Sequence, residues 1–107
     1  MSRKFIIMGL VILIATLVVT AVLYPWLPDR VPTHWNVRGQ VDATSPKAAL
    51  FFFGPGILAA TLFSFAVIPW ISPRRFKVDT FRSTYEYILV VILTFGAYCY
   101  ALLLWAA

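Results

Sequence analysis

The run FIIMGLVILIATLVVTAVLY, from Phe5 to Tyr24, carries no charged residue, and as a helix it rises about 30 Å, the thickness of a bilayer's hydrocarbon core. Such a helix has no polar face to offer water, and a chain of 107 residues has too little interior to bury it completely. Two more stretches share this character, about Ala48 to Ile71 and about Tyr85 to Trp105. Hydrophobic residues make up 62% of the chain and charged residues 12%, against about 45–50% and about 25% in an ordinary soluble domain. The expected fold class is therefore an all-α membrane protein, one domain over 1–107. Its three transmembrane helices would cover about 5–24, 48–71 and 85–105, joined by a Pro- and Trp-rich loop at 25–47 and a basic connection at 72–84. The basic start and apolar middle of the first run also resemble a signal peptide, with Val19, Thr20 and Ala21 as the cleavage region. The apolar run is longer than a usual signal core and no polar stretch precedes that point, so retention is expected.

Details inside the later runs carry further expectations. Ser45 and Pro46 read as the N-cap and first position of the second helix, with Lys47 at the interface. Gly54, Pro55 and Gly56 predict a kink or a tight packing point, since proline removes a backbone donor and glycine admits close neighbours. Gly56, Ala60 and Ser64 repeat at four-residue spacing, the small-residue stripe along which membrane helices pack. In the third helix, Tyr85, Tyr87 and Trp105 should sit at headgroup level. Glu86 lies at that helix's mouth, where it would reach water or pair with Arg82 one turn away.

The net charge of +5 arises from nine Lys or Arg against four Asp or Glu. These bases flank the apolar runs instead of forming one surface, which argues against nucleic acid as a partner. Arg3, Lys4, Arg74, Arg75, Lys77 and Arg82 fall on one side of the expected spans, and Arg30, Arg38 and Lys47 on the other. Six against three predicts a cytoplasmic N-terminus and an extracytoplasmic C-terminus in the cell membrane. Cys99 is the single cysteine; it lies inside an apolar run, reads as a buried packing residue, and excludes an internal disulfide.

The polar chemistry is concentrated in the outer loop, YPWLPDRVPTHWNVRGQVDATSPK. Pro25, Pro28 and Pro32 preclude helix there, and Gly39 after Arg38 suits a turn between the extended pieces VPTHWN and QVDAT, so a small hairpin is expected, with proline confining strands to edges. One histidine and one cysteine are too few for a metal site. Ser45 before proline is a poor nucleophile candidate. No enzymatic activity, metal or cofactor is therefore expected.

LPDRVPTHWNVRGQVD, followed by SPK and an apolar run, resembles the N-terminal membrane domain of SdpI-family proteins, a widespread domain of unknown function. The resemblance rests on Leu27, Pro28, Pro32, His34, Trp35, Asn36, Gly39, Asp42 and Lys47, and ISPRRFKVDTFRSTYE is similar to that family's cytoplasmic connection. It implies a toxin-immunity or signalling protein whose loop meets a peptide toxin and whose basic segment, Arg74, Arg75, Lys77 and Arg82, faces a cytoplasmic partner. Members of that type continue into a second membrane region. This leaves three readings open: a short stand-alone member, an accessory subunit, or a chain whose second half is missing.

The leading expectation is a non-enzymatic membrane protein that binds a peptide or protein partner through Pro28, Pro32, His34, Trp35, Asn36, Gly39, Asp42 and Lys47. The alternative is a small accessory subunit that packs along Gly56, Ala60 and Ser64 against other membrane proteins or a second copy of itself, with the loop as a plug. A transporter is disfavoured because no charge lies near the middle of any run.

Overall fold

Inside an apolar run the backbone can satisfy its hydrogen bonds only within its own helix or a closed sheet, and the three runs fold accordingly. A computed structural model describes residues 3–71 and 81–107. Helix α1 covers Arg3–Leu23 and ends in a 3-10 turn, Tyr24–Trp26. Two strands follow, β1 (Arg30–Trp35) and β2 (Val41–Pro46), paired antiparallel. A 3-10 turn (Lys47–Ala49), a π turn (Phe52–Gly56) and helix α2 (Ile57–Ile71) form the next long segment, and α3 covers Arg82–Ala106. The three helical stretches Arg3–Trp26, Lys47–Ile71 and Arg82–Ala106 are each long and apolar enough to cross a membrane. The molecule is thus mostly helical rather than all-α, because the 25–47 loop folds into a two-stranded sheet.

The helices present apolar side chains outward as well as inward. Val11, Ile14 and Val22 of α1, Phe63 of α2 and Phe95 of α3 are all more than half exposed. A helix apolar on every side belongs in an apolar surrounding. Two buried clusters join the elements. Leu58 and Leu62 of α2 meet Leu89 and Leu93 of α3, with Ile12 and Leu13 of α1 against them. At the hairpin end, Val31 of β1, Leu50, and Tyr100 and Leu104 of α3 form the second cluster.

Tyr100 ties the hairpin-end cluster to the polar groups of α1. Thr20 Oγ1 donates to Thr16 O at 2.7 Å and lies 2.5 Å from the Tyr100 hydroxyl. Having spent its one proton on Thr16 O, Thr20 accepts from Tyr100. The Tyr100 ring lies against Gly54, where a Cβ would overlap it. The expected packing point is therefore real, but what enters the space is a side chain and not another backbone. Proline explains the local geometry: Pro55 has no N–H and its ring crowds the preceding carbonyls, and the ladder widens so that Ile57 N–H reaches Phe52 O five residues back.

Several expectations need correction. Ser45 does not cap the second helix: it belongs to β2, its hydroxyl is 3.5 Å from Thr33 Oγ1, and the turn at Lys47 has no side-chain cap. The third helix begins at Arg82, so residues 82–84 are helical and Glu86 stands on its second turn. There Glu86 faces inward and is 2% exposed instead of reaching water, and both it and Arg82 have partners. Tyr85 is also buried, donating to Phe65 O at 2.5 Å, whereas Tyr87 and Trp105 are exposed. Cys99 is exposed on α3, not buried. Gly56 is half-buried while Ala60 and Ser64 are exposed, and the three line an outward groove with Phe52 and Phe65. Arg74, Arg75 and Lys77 lie outside the described residues.

Replacing Gly54 by Ala pushes a methyl into the Tyr100 ring and should cost about 1–3 kcal/mol. A lowered unfolding midpoint in detergent checks this, and Tyr100→Phe, which removes only the hydroxyl bond, should cost less, about 0.6 kcal/mol by the usual membrane figure.

Candidate functional site

The hairpin is built from short-range instructions. Gly39 has φ of 76°, a conformation that costs any residue with a Cβ. Asn36 closes the turn around it: its Oδ1 accepts from Arg38 N at 2.9 Å and Gln40 N at 3.0 Å, its own N–H donates to Gln40 O, and its carbonyl accepts from Gly39 N. Asn36 and Gly39 therefore shape the loop, and Val37 and Arg38 are what the tip displays.

Register decides which way the strands face. Val31 pairs with Ser45, Pro32 with Thr44, and Trp35 with Val41, with an irregularity around His34. Cross-strand partners share a face, and Val31 is fully buried against the bundle, so its side of the hairpin is inward. On the outer side, Arg30 reaches across to Thr44, with Nε 3.0 Å from Oγ1 and Nη2 3.0 Å from the carbonyl. His34 Nδ1 lies 2.5 Å from Asp42 Oδ1, and both side chains are exposed, 68% and 40%. With Nδ1–H donating to the carboxylate, Nε2 remains directed away from the pair as a hydrogen-bonding atom.

The hairpin's edges are blunted. Lys47 N–H donates to Asp29 O at 2.9 Å; because bonded and non-bonded pairs alternate in an antiparallel ladder, the backbone groups of Arg30, Pro32, Thr44 and Pro46 turn outward. Pro32 and Pro46 thus sit where a missing N–H leaves the ladder intact and removes a donor from each edge. Arg30 occupies the Thr44 carbonyl besides. Added strands are poorly served by such edges, and side chains are left as the means of recognition.

The remaining motif residues anchor this unit. Lys47 Nζ donates to Tyr24 O at 3.1 Å and Leu27 O at 3.5 Å, and lies 4.5 Å from the centre of the Tyr24 ring. It thereby satisfies carbonyls where α1 ends and ties them to the start of the next helical segment. Pro28 lies in the exposed link between the 3-10 turn and β1. Trp35 turns toward α3, lining a groove with Leu103 and Trp105. Of the eight loop residues singled out from sequence, the structure places His34 and Asp42 together on the outer face, and gives Asn36, Gly39 and Lys47 structural tasks. Sequence reading missed Arg30 with Thr44, and the Thr20–Tyr100 bond. The signal for the latter was present: a tyrosine hydroxyl and two threonines four residues apart, inside apolar runs, all require partners. Among the described residues, no three His, Cys, Asp or Glu side chains cluster as metal ligands do.

Fold and site define a mostly helical chain with three helices long and apolar enough to cross a membrane and a short hairpin packed on one end. Residues 11–59, from within α1 through the whole hairpin to the start of α2, match a family model described as a domain of unknown function, DUF1648. No curated protein and no solved structure matches the chain.

Gly39→Val forces a branched side chain into the left-handed region and should cost about 1–2 kcal/mol. Faster hydrogen exchange at the Asn36 and Gln40 amides checks it. Lys47→Met keeps the aliphatic stem but takes the ammonium donor from the Tyr24 and Leu27 carbonyls, leaving Tyr24 O with the Leu27 N–H alone, and limited proteolysis between Tyr24 and Arg30 should accelerate.

Proposed function

We propose that this chain is a non-enzymatic integral membrane protein whose hairpin, on the extracytoplasmic side, recognises a peptide or protein partner in an immunity or signalling role of the SdpI type. The observation that carries this reading is the outer face of the hairpin. Arg30, His34 and Asp42 are held there by cross-strand bonds on a base anchored through Val31 and Lys47. A polar face with pre-oriented side chains lowers the ordering cost of binding, and the blunted edges direct recognition to those side chains. The family match supports the reading by including the whole loop motif. The excess of bases around the N-terminus and residues 74–82 supports a cytoplasmic position for both.

A second reading, an accessory subunit of a larger membrane assembly, is favoured by one observation. Gly56, Ala60 and Ser64 line an outward groove, and Ala60 and Ser64 are exposed on it, while Gly56 is held close to the Phe51 carbonyl. Ser64 and Thr61 each bond the carbonyl four residues back, so a neighbouring helix in that groove meets small residues with no free hydroxyl donor.

Sidedness is tested by an impermeant thiol reagent on intact cells, using Ala43→Cys and Arg74→Cys in a Cys99→Ser chain. Label at position 43 and none at 74 is expected, and the reverse pattern would overturn the orientation. Partner recognition is tested by cross-linking and copurification from native membranes. The pair His34→Ala with Asp42→Ala should cut recovery of an associated peptide or protein roughly tenfold, a loss of about 1.4 kcal/mol, while membrane insertion stays unchanged. Recovery unaffected by that pair but lost with Ala60→Leu would transfer the interface to the small-residue groove and favour the subunit reading.

A further inference from the structure

The inward side of the hairpin extends beyond the part covered by the bundle. Val31 is fully buried against Tyr100 and Leu104, but farther along, the Trp35–Val41 pair is covered only in part, 37% and 48% exposed, and Val37 at the tip is wholly exposed. Trp35 roofs an open groove whose other walls are Cys99, Leu102, Leu103, Trp105 and Ala106. Those residues occupy the last two turns of α3, on a face already turned away from the other helices: Cys99, Leu102 and Trp105 are exposed.

On the reading that the three helices cross a membrane, that face of α3 meets lipid, and the surface under Trp35 is its direct continuation. Trp26 and Trp105, 83% and 86% exposed at the same end of the molecule, mark the level where amphipathic rings settle, between hydrocarbon and headgroups. Trp35, which shares a groove with Trp105, lies near that level. An exposed valine at the tip with an arginine, Arg38, beside it is a combination suited to the same layer, the apolar group entering and the cation staying with the phosphates.

We infer that the hairpin lies on the membrane and not free above it: Trp35, Val41 and Val37 rest in the headgroup layer beside α3, and the occupant of the Trp35 groove is phospholipid of that leaflet. This rests on the membrane-spanning reading, and it deepens the proposed function by assigning the hairpin's two faces. The inner face is committed to lipid, and only the face bearing Arg30, His34 and Asp42 is free for a partner.

The test uses the full chain reconstituted in phosphatidylcholine vesicles, with Trp35 as the sole tryptophan through W26F, W70F and W105F. Lipid brominated near the headgroup end of its chains should quench Trp35 roughly twofold, as for a ring at the interface, and aqueous acrylamide should have little effect. A parallel chain retaining only Trp105 reports insertion of α3. Trp105 quenched with Trp35 unquenched and open to acrylamide would overturn the inference and leave the spanning reading standing. Neither ring quenched would overturn both. Independently, an environment-sensitive fluorophore on Val37→Cys in the Cys99→Ser chain should be quenched by the same lipid, and water-like emission unaffected by bromine would overturn the placement of the tip.

Discussion

The hydroxyl of Tyr100 sits where three helical segments meet, in surroundings with almost no other polar group. It donates to Thr20, which has already committed its proton to Thr16 O, and its ring fills the space left by Gly54. A hydroxyl in an apolar setting is costly unless bonded, so this one position restricts how α1, α3 and the π turn can approach one another. The same ring forms part of the cluster on which Val31 seats the hairpin. Apolar packing alone discriminates weakly between arrangements when the outside is as apolar as the inside, because moving a leucine from one to the other changes little. Specific geometry then comes from the few hydroxyls and the few positions without side chains.

The hairpin obeys a different solvent. Its turn, edges and base are governed by local polar bonding: Asn36 around Gly39, Arg30 on Thr44, and Lys47 on the carbonyls at the end of α1. Many of the residues that make the loop distinctive in sequence are spent on its construction. A motif rich in Pro, Asn and Gly signals a demanding backbone path at least as strongly as it signals a ligand. What remains for recognition is smaller and differently placed, with the Arg30, His34 and Asp42 side chains on one face, apolar Trp35 and Val41 on the other, and Val37 at the tip.

The extent of the three long helices was legible within a few residues, because a run of uncharged apolar residues of membrane length has few alternatives to helix. The hairpin was legible through Gly39 and the proline-bounded extended pieces. Ser45 was misread because a serine before proline and an apolar run looks like a helix cap, while the strand pairing that captures it involves Thr33, twelve residues away. Glu86 and Tyr85 look like water-boundary residues in the sequence because they stand where the apolar run begins. The helix starts at Arg82, and one more turn carries both side chains into the interior.

Composition and the length of the uncharged runs by themselves determined that this chain forms three long apolar helices with one polar loop, since hydrogen bonding and hydrophobicity along a segment are properties of that segment. Which face of each helix is inward was not determined there, because these helices are apolar on all sides and offer no stripe to read. Only the tertiary structure turned Gly56, Ala60 and Ser64 outward, set Tyr100 against Gly54 and Thr20, and divided the hairpin into two faces. Each of those outcomes depends on contacts between residues far apart in the chain, where shape and the pairing of a few hydroxyls select one arrangement among many of similar apolarity.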